Sequence, residues 1–201
     1  MDPKPENSIA NHAAFDVVAI AASAGGLKAL SHVLAELPVD FPAAILIVQH
    51  LDPRHRSLMA DILGRRTSLT VKQAQAGDRL EPGLIFIAPP NYHMLVTDDG
   101  CLSLTQTELV HFVRPSADLL FESVAGKYKR YAIGVVLTGT GSDGSMGVEA
   151  ICKMGGTVIV QDPESAEFDG MPRAAIQMKC VDFVLPLEEI PMALVRLVVS
   201  E

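Results

Sequence analysis

Three polar residues of this chain stand where chemistry would need them: Ser23, His50 and Asp143, each closely following a short run of apolar residues. Ser23 comes after the apolar stretch from Val17 to Ala22 and before Gly25-Gly26 and a helix-like segment beginning at Leu27. In such a strand, tight turn and helix context, a serine hydroxyl lies beside the free N–H groups of a helix N-terminus, which stabilise a developing oxyanion. His50 directly follows the run 44–49, and Asp143 lies in Thr138-Gly139-Thr140-Gly141-Ser142-Asp143-Gly144, after the run 133–137. A nucleophile, a general base and an acid that fixes the imidazole tautomer are the parts of a serine hydrolase. Each residue also has an ordinary alternative. A serine before Gly-Gly is often a turn or N-cap residue, a lone histidine a hydrogen-bonded structural residue, and an Asp-Gly pair a turn or a helix cap.

Position separates His50 from the other histidines. His12 lies in a polar leader, His32 within a helical pattern, and His55 in a charged stretch between Arg54 and Arg56, while His93 and His111 remain rivals. A histidine base works only when neutral, so activity is expected to rise with pH through roughly 6 to 7. A rate that is flat from about pH 5 to 8 would exclude a histidine base.

The elements that must position these residues follow from periodicity. Short β-branched runs at 16–21, 44–49, 69–73, 84–88, 133–137, 157–161 and 183–185 alternate with helical patterns at 27–37, 57–64, 117–127, 147–154, 172–179 and 188–199. This order predicts an α/β fold, a three-layer α/β/α sandwich around a mostly parallel sheet. In the first helix Leu27, Leu30, Leu34 and Leu37 recur at three and four residues and predict one apolar face. Asp169-Gly170-Met171-Pro172 and Pro186 are entry signals for the last two helices. Runs at 93–97 and 101–105 flank Asp98-Asp99-Gly100, which predicts an antiparallel hairpin at one sheet edge. In open sheets of this kind ligands bind outside the carboxyl ends of the strands, which is where Ser23, His50 and Asp143 fall.

Composition narrows the function. The chain has 201 residues, 49% of them hydrophobic, which suits one domain that buries roughly 70% of its unfolded surface. With 16 Lys and Arg against 24 Asp and Glu the net charge is -8, which argues against nucleic-acid or membrane-surface binding and toward a protein or small-molecule partner. Cys101, Cys152 and Cys180 are odd in number and lack C-x-x-C spacing, so they are expected to be reduced thiols in a cytoplasmic protein, with no zinc site. Residues 1–14 are polar and proline-bearing and predict a flexible leader, with the domain proper at 15–201. Gly139, Gly141 and Gly144 also form G-x-G-x-x-G, with Asp162 at the end of the next strand, the pattern of a dinucleotide site. Against that reading, Asp143 would set a carboxylate in the loop that receives a pyrophosphate.

The sequence resembles one family. Ala22-Ser23-Ala24-Gly25-Gly26, Val48-Gln49-His50, Ala88-Pro89-Pro90-Asn91-Tyr92-His93-Met94, Arg114-Pro115-Ser116-Ala117-Asp118-Leu119-Leu120-Phe121, Leu137 to Gly144, and Gln161-Asp162-Pro163 with Gly170-Met171-Pro172-Arg173 are similar to the CheB-type chemoreceptor-glutamate methylesterase domain. The resemblance runs from about Phe15 to the C-terminus. It implies that Ser23 is the nucleophile, His50 the base and Asp143 its orienting acid, and that glutamyl methyl esters on chemoreceptor signalling helices are hydrolysed to release methanol, with glutamine deamidation as a second activity. The expected mechanism needs no metal or organic cofactor. The backbone N–H groups of Ala24 and Thr140 are the expected oxyanion-hole donors. Tyr92, Arg114 and Arg173 lie in motif loops and are candidate substrate-binding residues, with a structural salt bridge or hydrogen bond as the alternative for each. Two residues depart from the family pattern: Ala24 replaces its usual threonine, and Thr140 its usual methionine. Relatives with a receiver domain are switched by phosphorylation, whereas this chain is expected to be a stand-alone catalytic domain controlled by a partner in trans. A non-catalytic receptor- or signalling-protein-binding module and a general esterase are the competing functions.

Overall fold

The computed structural model describes residues 15–50 and 57–199. The expected leader, His12, and the Arg54, His55, Arg56 stretch lie outside the described residues. Fifteen elements alternate along the chain: β1 (Val17–Ala22), α1 (Gly26–Ala35), β2 (Ala44–Gln49), α2 (Met59–Gly64), β3 (Thr70–Gln73), β4 (Leu84–Ile87), β5 (His93–Val96), β6 (Leu102–Thr105), α3 (Ala117–Tyr128), β7 (Ala132–Val136), α4 (Ser145–Lys153), β8 (Thr157–Gln161), α5 (Gly170–Ile176), β9 (Phe183–Leu185) and α6 (Ile190–Val199). Seven strands form one sheet in the order β3-β4-β2-β1-β7-β8-β9. Every pairing within it is parallel.

Strands β1, β2 and β7 are buried along their whole length, as their unbroken apolar sequences require in a sheet covered on both faces. Side-chain parity sorts β1 between the two layers. Val17, Ala19 and Ala21 pack with α3, α4 and α5, while Val18, Ile20 and Ala22 pack with α1, Met59 and Leu63 of α2, and α6. Strand β2 follows the same rule, with Leu46 and Val48 in the first layer and Ile45 and Ile47 in the second. Continued past the strand ends, this alternation directs residues 23 and 50 to the α3 side.

The three-layer expectation therefore holds, with refinements. The hairpin β5-β6 does not hydrogen-bond to the large sheet but forms a two-stranded sheet of its own. Met94, Val96 and Leu102 bury it against Leu120, Phe121 and Val124 of α3. In α1 the buried face is Ala29, Leu30, Val33 and Leu34, with Leu37 buried beyond the helix end, whereas Leu27 is 38% exposed. The expected leucine stripe thus starts one turn too early. Cys152 and Cys180 form a disulfide, with Cα atoms 6.1 Å apart, and Cys101 is free. This corrects the expectation of three reduced thiols. The pairing arises because the path through β8 and α5 returns the chain to α4 after 28 residues, a proximity that C-x-x-C spacing cannot register.

Helices α3 and α4 meet at Gly147, where an added Cβ would lie 2.5 Å from Phe121 Cβ and 3.1 Å from Asp118 Cα. Both neighbours are fixed, one by burial and one as backbone. Gly147→Ala should therefore cost about 1–3 kcal/mol through overpacking, read as a lower denaturant midpoint at unchanged m-value.

Candidate active site

The chain enters the site where the sheet changes direction. From β1 it runs out to β2 on one side, and it later resumes at β7 on the other. Helix α1 covers one face at that border and α3 the other. Such a switch point opens a crevice at the carboxyl ends of the strands.

Ser23 is the first residue past β1, and backbone bonds hold it from both sides. Its N–H donates to Thr138 O (3.0 Å), just past β7, and its carbonyl accepts from Gly26 N–H (2.9 Å) and from Gln49 Nε2 (2.7 Å). Gly25 takes a left-handed conformation (φ 76°) to turn the chain into α1. Close approach also dictates Gly139, where a Cβ would stand 2.8 Å from Ser23 Cβ and 2.2 Å from Met171 Sδ.

His50 occupies the position on β2 that neighbours Ser23, one step past the Ala22 and Gln49 pair, and its N–H donates to Ala22 O (3.2 Å). Its Nε2 lies 2.8 Å from Asp143 Oδ2. An ionised carboxylate only accepts, so Nε2 carries the proton in this bond, and the neutral ring keeps its lone pair on Nδ1. Nδ1 is then the nitrogen free to take a proton from a nucleophile.

Asp143 is 4% exposed and accepts from several donors at once. Oδ1 accepts from Ser116 Oγ (2.7 Å) and Asp118 N–H (3.3 Å), while Oδ2 accepts from Ala117 N–H (2.6 Å) and His50. The carboxylate thus caps α3, a helix from a different part of the chain, and not the α4 that follows it. Ser116, the N-cap residue, spends its hydroxyl on Asp143 and makes no cap bond of its own. Burial opposes the charge on Asp143, but the bonds from the His50 ring, the Ala117 amide and the Ser116 hydroxyl outweigh it and hold the carboxyl below its usual range. The α3 N-terminus adds favourable potential there.

Both rival histidines have other employment. His93 is fully buried: its Nδ1 accepts from Ser116 N–H (3.1 Å), so its Nε2 donates to Glu108 O (3.0 Å). It supports Ser116 and through it Asp143. His111 is half exposed, with Nε2 3.2 Å from Asp118 Oδ2, although no hydrogen bond forms there. Asp118 itself is buried, and burial first and the neighbouring Asp143 charge next push its carboxyl up, against the Gly147 amide, which bonds its Oδ1 at 2.8 Å.

The remaining expected residues divide. The amides of Ala24 and Thr140 donate to no other group among the described residues. Arg114 is committed to its own loop, with Nε and Nη2 donating to Asn91 Oδ1 (3.0 and 2.7 Å) and Nη1 to the carbonyls of Gln106 and Thr107 (3.0 and 2.6 Å). Arg173 pairs with Asp169 at 2.6 Å on an exposed surface. Tyr92 is 38% exposed. Asp162, the dinucleotide candidate, caps its own turn through the Glu164 amide (3.0 Å).

Two glutamines and a threonine that sequence reasoning left without a role tie the loops together. Gln49 Nε2 bridges Ser23 O and His50 O (3.1 Å), and Gln161 Oε1 accepts from Thr138 N–H (2.8 Å). Thr138 Oγ1 accepts from Phe168 N–H (2.9 Å) and lies 3.0 Å from Ala24 O. A signal for the glutamines was available: each ends a mostly apolar, buried strand, where a polar side chain must find partners.

A family model described as CheB methylesterase matches residues 18–194. The chain belongs to the CheB methylesterase family. A putative protein-glutamate methylesterase/protein-glutamine glutaminase of Leptospira interrogans is 40% identical over 183 residues, covering 91% of this chain and 95% of that protein. The protein-glutamate methylesterase/protein-glutamine glutaminase of Moorella thermoacetica is 43% identical over 187 residues, but this chain spans only 44% of its length. The crystal structure of the Thermotoga maritima CheB methylesterase catalytic domain superposes with a TM-score of 0.88 at 36% identity, covering 92% of this chain and 99% of that one. The α/β architecture and the hydrolase class of the CheB family thus agree with the crevice built here.

The lowered Asp143 carboxyl has a consequence for stability. An acid whose folded pKa is depressed stabilises the fold above its unfolded value, near about 3.9, and loses that contribution as pH falls through the folded value. Asp143→Asn should therefore unfold at lower denaturant than the parent at pH 7, with the gap closing below about pH 4. A gap that is constant across that range would contradict the assignment.

Proposed function

We propose that this chain is a serine hydrolase that removes methyl esters from glutamate side chains of chemoreceptors and releases methanol, and that it also deamidates glutamine at the same site. The observation that carries this reading is the 2.8 Å bond between His50 and Asp143 beside a serine held between β2 and β7. In this reading residues 15–201 are the catalytic domain, working in the cytoplasm and regulated by a partner in trans. The names of its relatives join the same two reactions.

The mechanism follows from the hydrogen bonds. Neutral His50 takes the Ser23 proton through Nδ1 as Oγ attacks the ester carbonyl. The ring becomes a cation against the ionised Asp143, whose charge the α3 amides hold in place. The tetrahedral oxyanion is held by the Ala24 and Thr140 N–H groups, a role that asks only for backbone and survives the replacement of threonine and methionine side chains. Imidazolium then protonates departing methanol, and water, activated by the same ring, attacks the acyl-enzyme and regenerates Ser23. Glutamine enters the same cycle with ammonia as leaving group. The exposed Tyr92 and Arg173 are the candidate contacts to substrate in this reading, and Arg114 acts through the loop it clamps.

Methanol release from methylated receptor by purified protein tests this. Ser23→Ala should reduce turnover on the order of a million-fold, and Asp143→Asn about 10⁴-fold. Equal release by parent and Ser23→Ala would dismiss Ser23 as the nucleophile and the triad with it, whereas no release by the parent would dismiss the hydrolase reading and leave the receptor-binding module.

A further inference from the structure

A cleft of about 640 Å³ opens beside Ser23, between α1 and α2. Gln49 lies at its base, Leu27, Met59 and Ile62 give it apolar walls, and Lys28 and Arg66 stand along it. Among the described residues no carboxylate lines it, in a chain whose net charge is -8. Lys72, Lys153 and Arg173 are each paired with a carboxylate. Lys28 and Arg66 have no such partner among the described residues.

Resting on the hydrolase reading, we propose that this cleft seats an α-helix of the protein substrate, and that Lys28 and Arg66 select helices carrying acidic side chains one turn from the residue being hydrolysed. The walls themselves argue for a helix. Among the described residues the cleft is bounded by two helices and offers no strand edge, so an occupant gains no backbone ladder from them and must satisfy its own main chain. Leu27 and Ile62 are 38% and 39% exposed and present the apolar contact that an amphipathic helix would cover. The acidic requirement follows from the reaction, because each hydrolysis or deamidation leaves a glutamate carboxylate. On a helix with several such sites, residues three and four away share one face with the next target. Two unpaired cations beside Ser23 then complement a surface that becomes more anionic with every turnover.

The test uses the full chain carrying Ser23→Ala, so that the probe is not consumed, and needs no turnover. An alanine-rich helical peptide with a central glutamine and glutamates three and four residues to either side is compared, by fluorescence anisotropy, with versions carrying glutamines or lysines at those positions. The acidic peptide should bind about tenfold more tightly than its glutamine version, an advantage that shrinks as salt is raised. Adding K28E and R66E should remove that advantage and transfer it to the lysine peptide, a gain that a misfolded variant could not show. Equal affinity for the acidic and glutamine peptides, absence of binding, or an unchanged preference in the charge-reversed variant would each overturn the proposal. Methanol release by the parent chain is scored separately: its failure would sink the hydrolase reading alone, while the binding results bear on the cleft alone.

Discussion

Everything in the crevice depends on keeping one buried carboxylate charged. Asp143 is almost without solvent, and an isolated carboxylate in such a place would take up a proton. It remains an acceptor because it receives four donors, and three of them come from a single turn, Ser116 to Asp118, at the start of α3. Only the fourth is His50. The acid is therefore built chiefly by a helix terminus, and the imidazole uses what remains of its accepting capacity. His93 extends the same logic one step outward by bonding the Ser116 backbone, so its complete burial serves the charge on Asp143 without touching the chemistry.

The sheet supplies the other half. Parallel strands bring the ends of β1, β2 and β7 to one line, and a period of two decides which face each later side chain takes. Residues 17, 19, 21 and 23, like 46, 48 and 50, share one parity. Gln49 has the opposite parity, meets Gly26 on the α1 side, and there fastens the carbonyls of Ser23 and His50 to each other. Nucleophile and base are thus tied by a side chain that takes no part in the reaction. The glycines at 26 and 139 are consequences of the same crowding, since a Cβ at either would enter space already filled by Gln49 or by Ser23 and Met171.

Much of this was legible from residue order, because buried parallel strands write themselves as unbroken apolar runs and their ends mark where ligands bind. Strand positions, the alternation with helices and the candidate status of Ser23, His50 and Asp143 all come from that local record. What was not legible involves partners distant in sequence. Asp143 reads locally as a cap for the helix that follows it, and only packing of α3 on α4 reveals that it caps α3 instead. Arg114 in a motif loop reads equally as a substrate ligand or a clamp until Asn91 is found 23 residues away in its fork. Cys152 and Cys180 carry no spacing signal, and Leu27 belongs to the apolar periodicity of α1 yet faces a cleft. In each case local chemistry states what a group can do, and tertiary proximity decides which option it takes.

The close crossing at Gly147 has a mechanical side. Ser23 and His50 ride on the sheet, whereas the carboxylate that orients the ring is fastened to α3, which belongs to the layer packed on that sheet. The three groups consequently form one constellation only while two layers keep their registry. Since a misplacement of about 1 Å is enough to degrade an aligned set of reacting groups, the seating of one helix on another, sealed by the missing side chain of a glycine, sets the tolerance to which this site is machined.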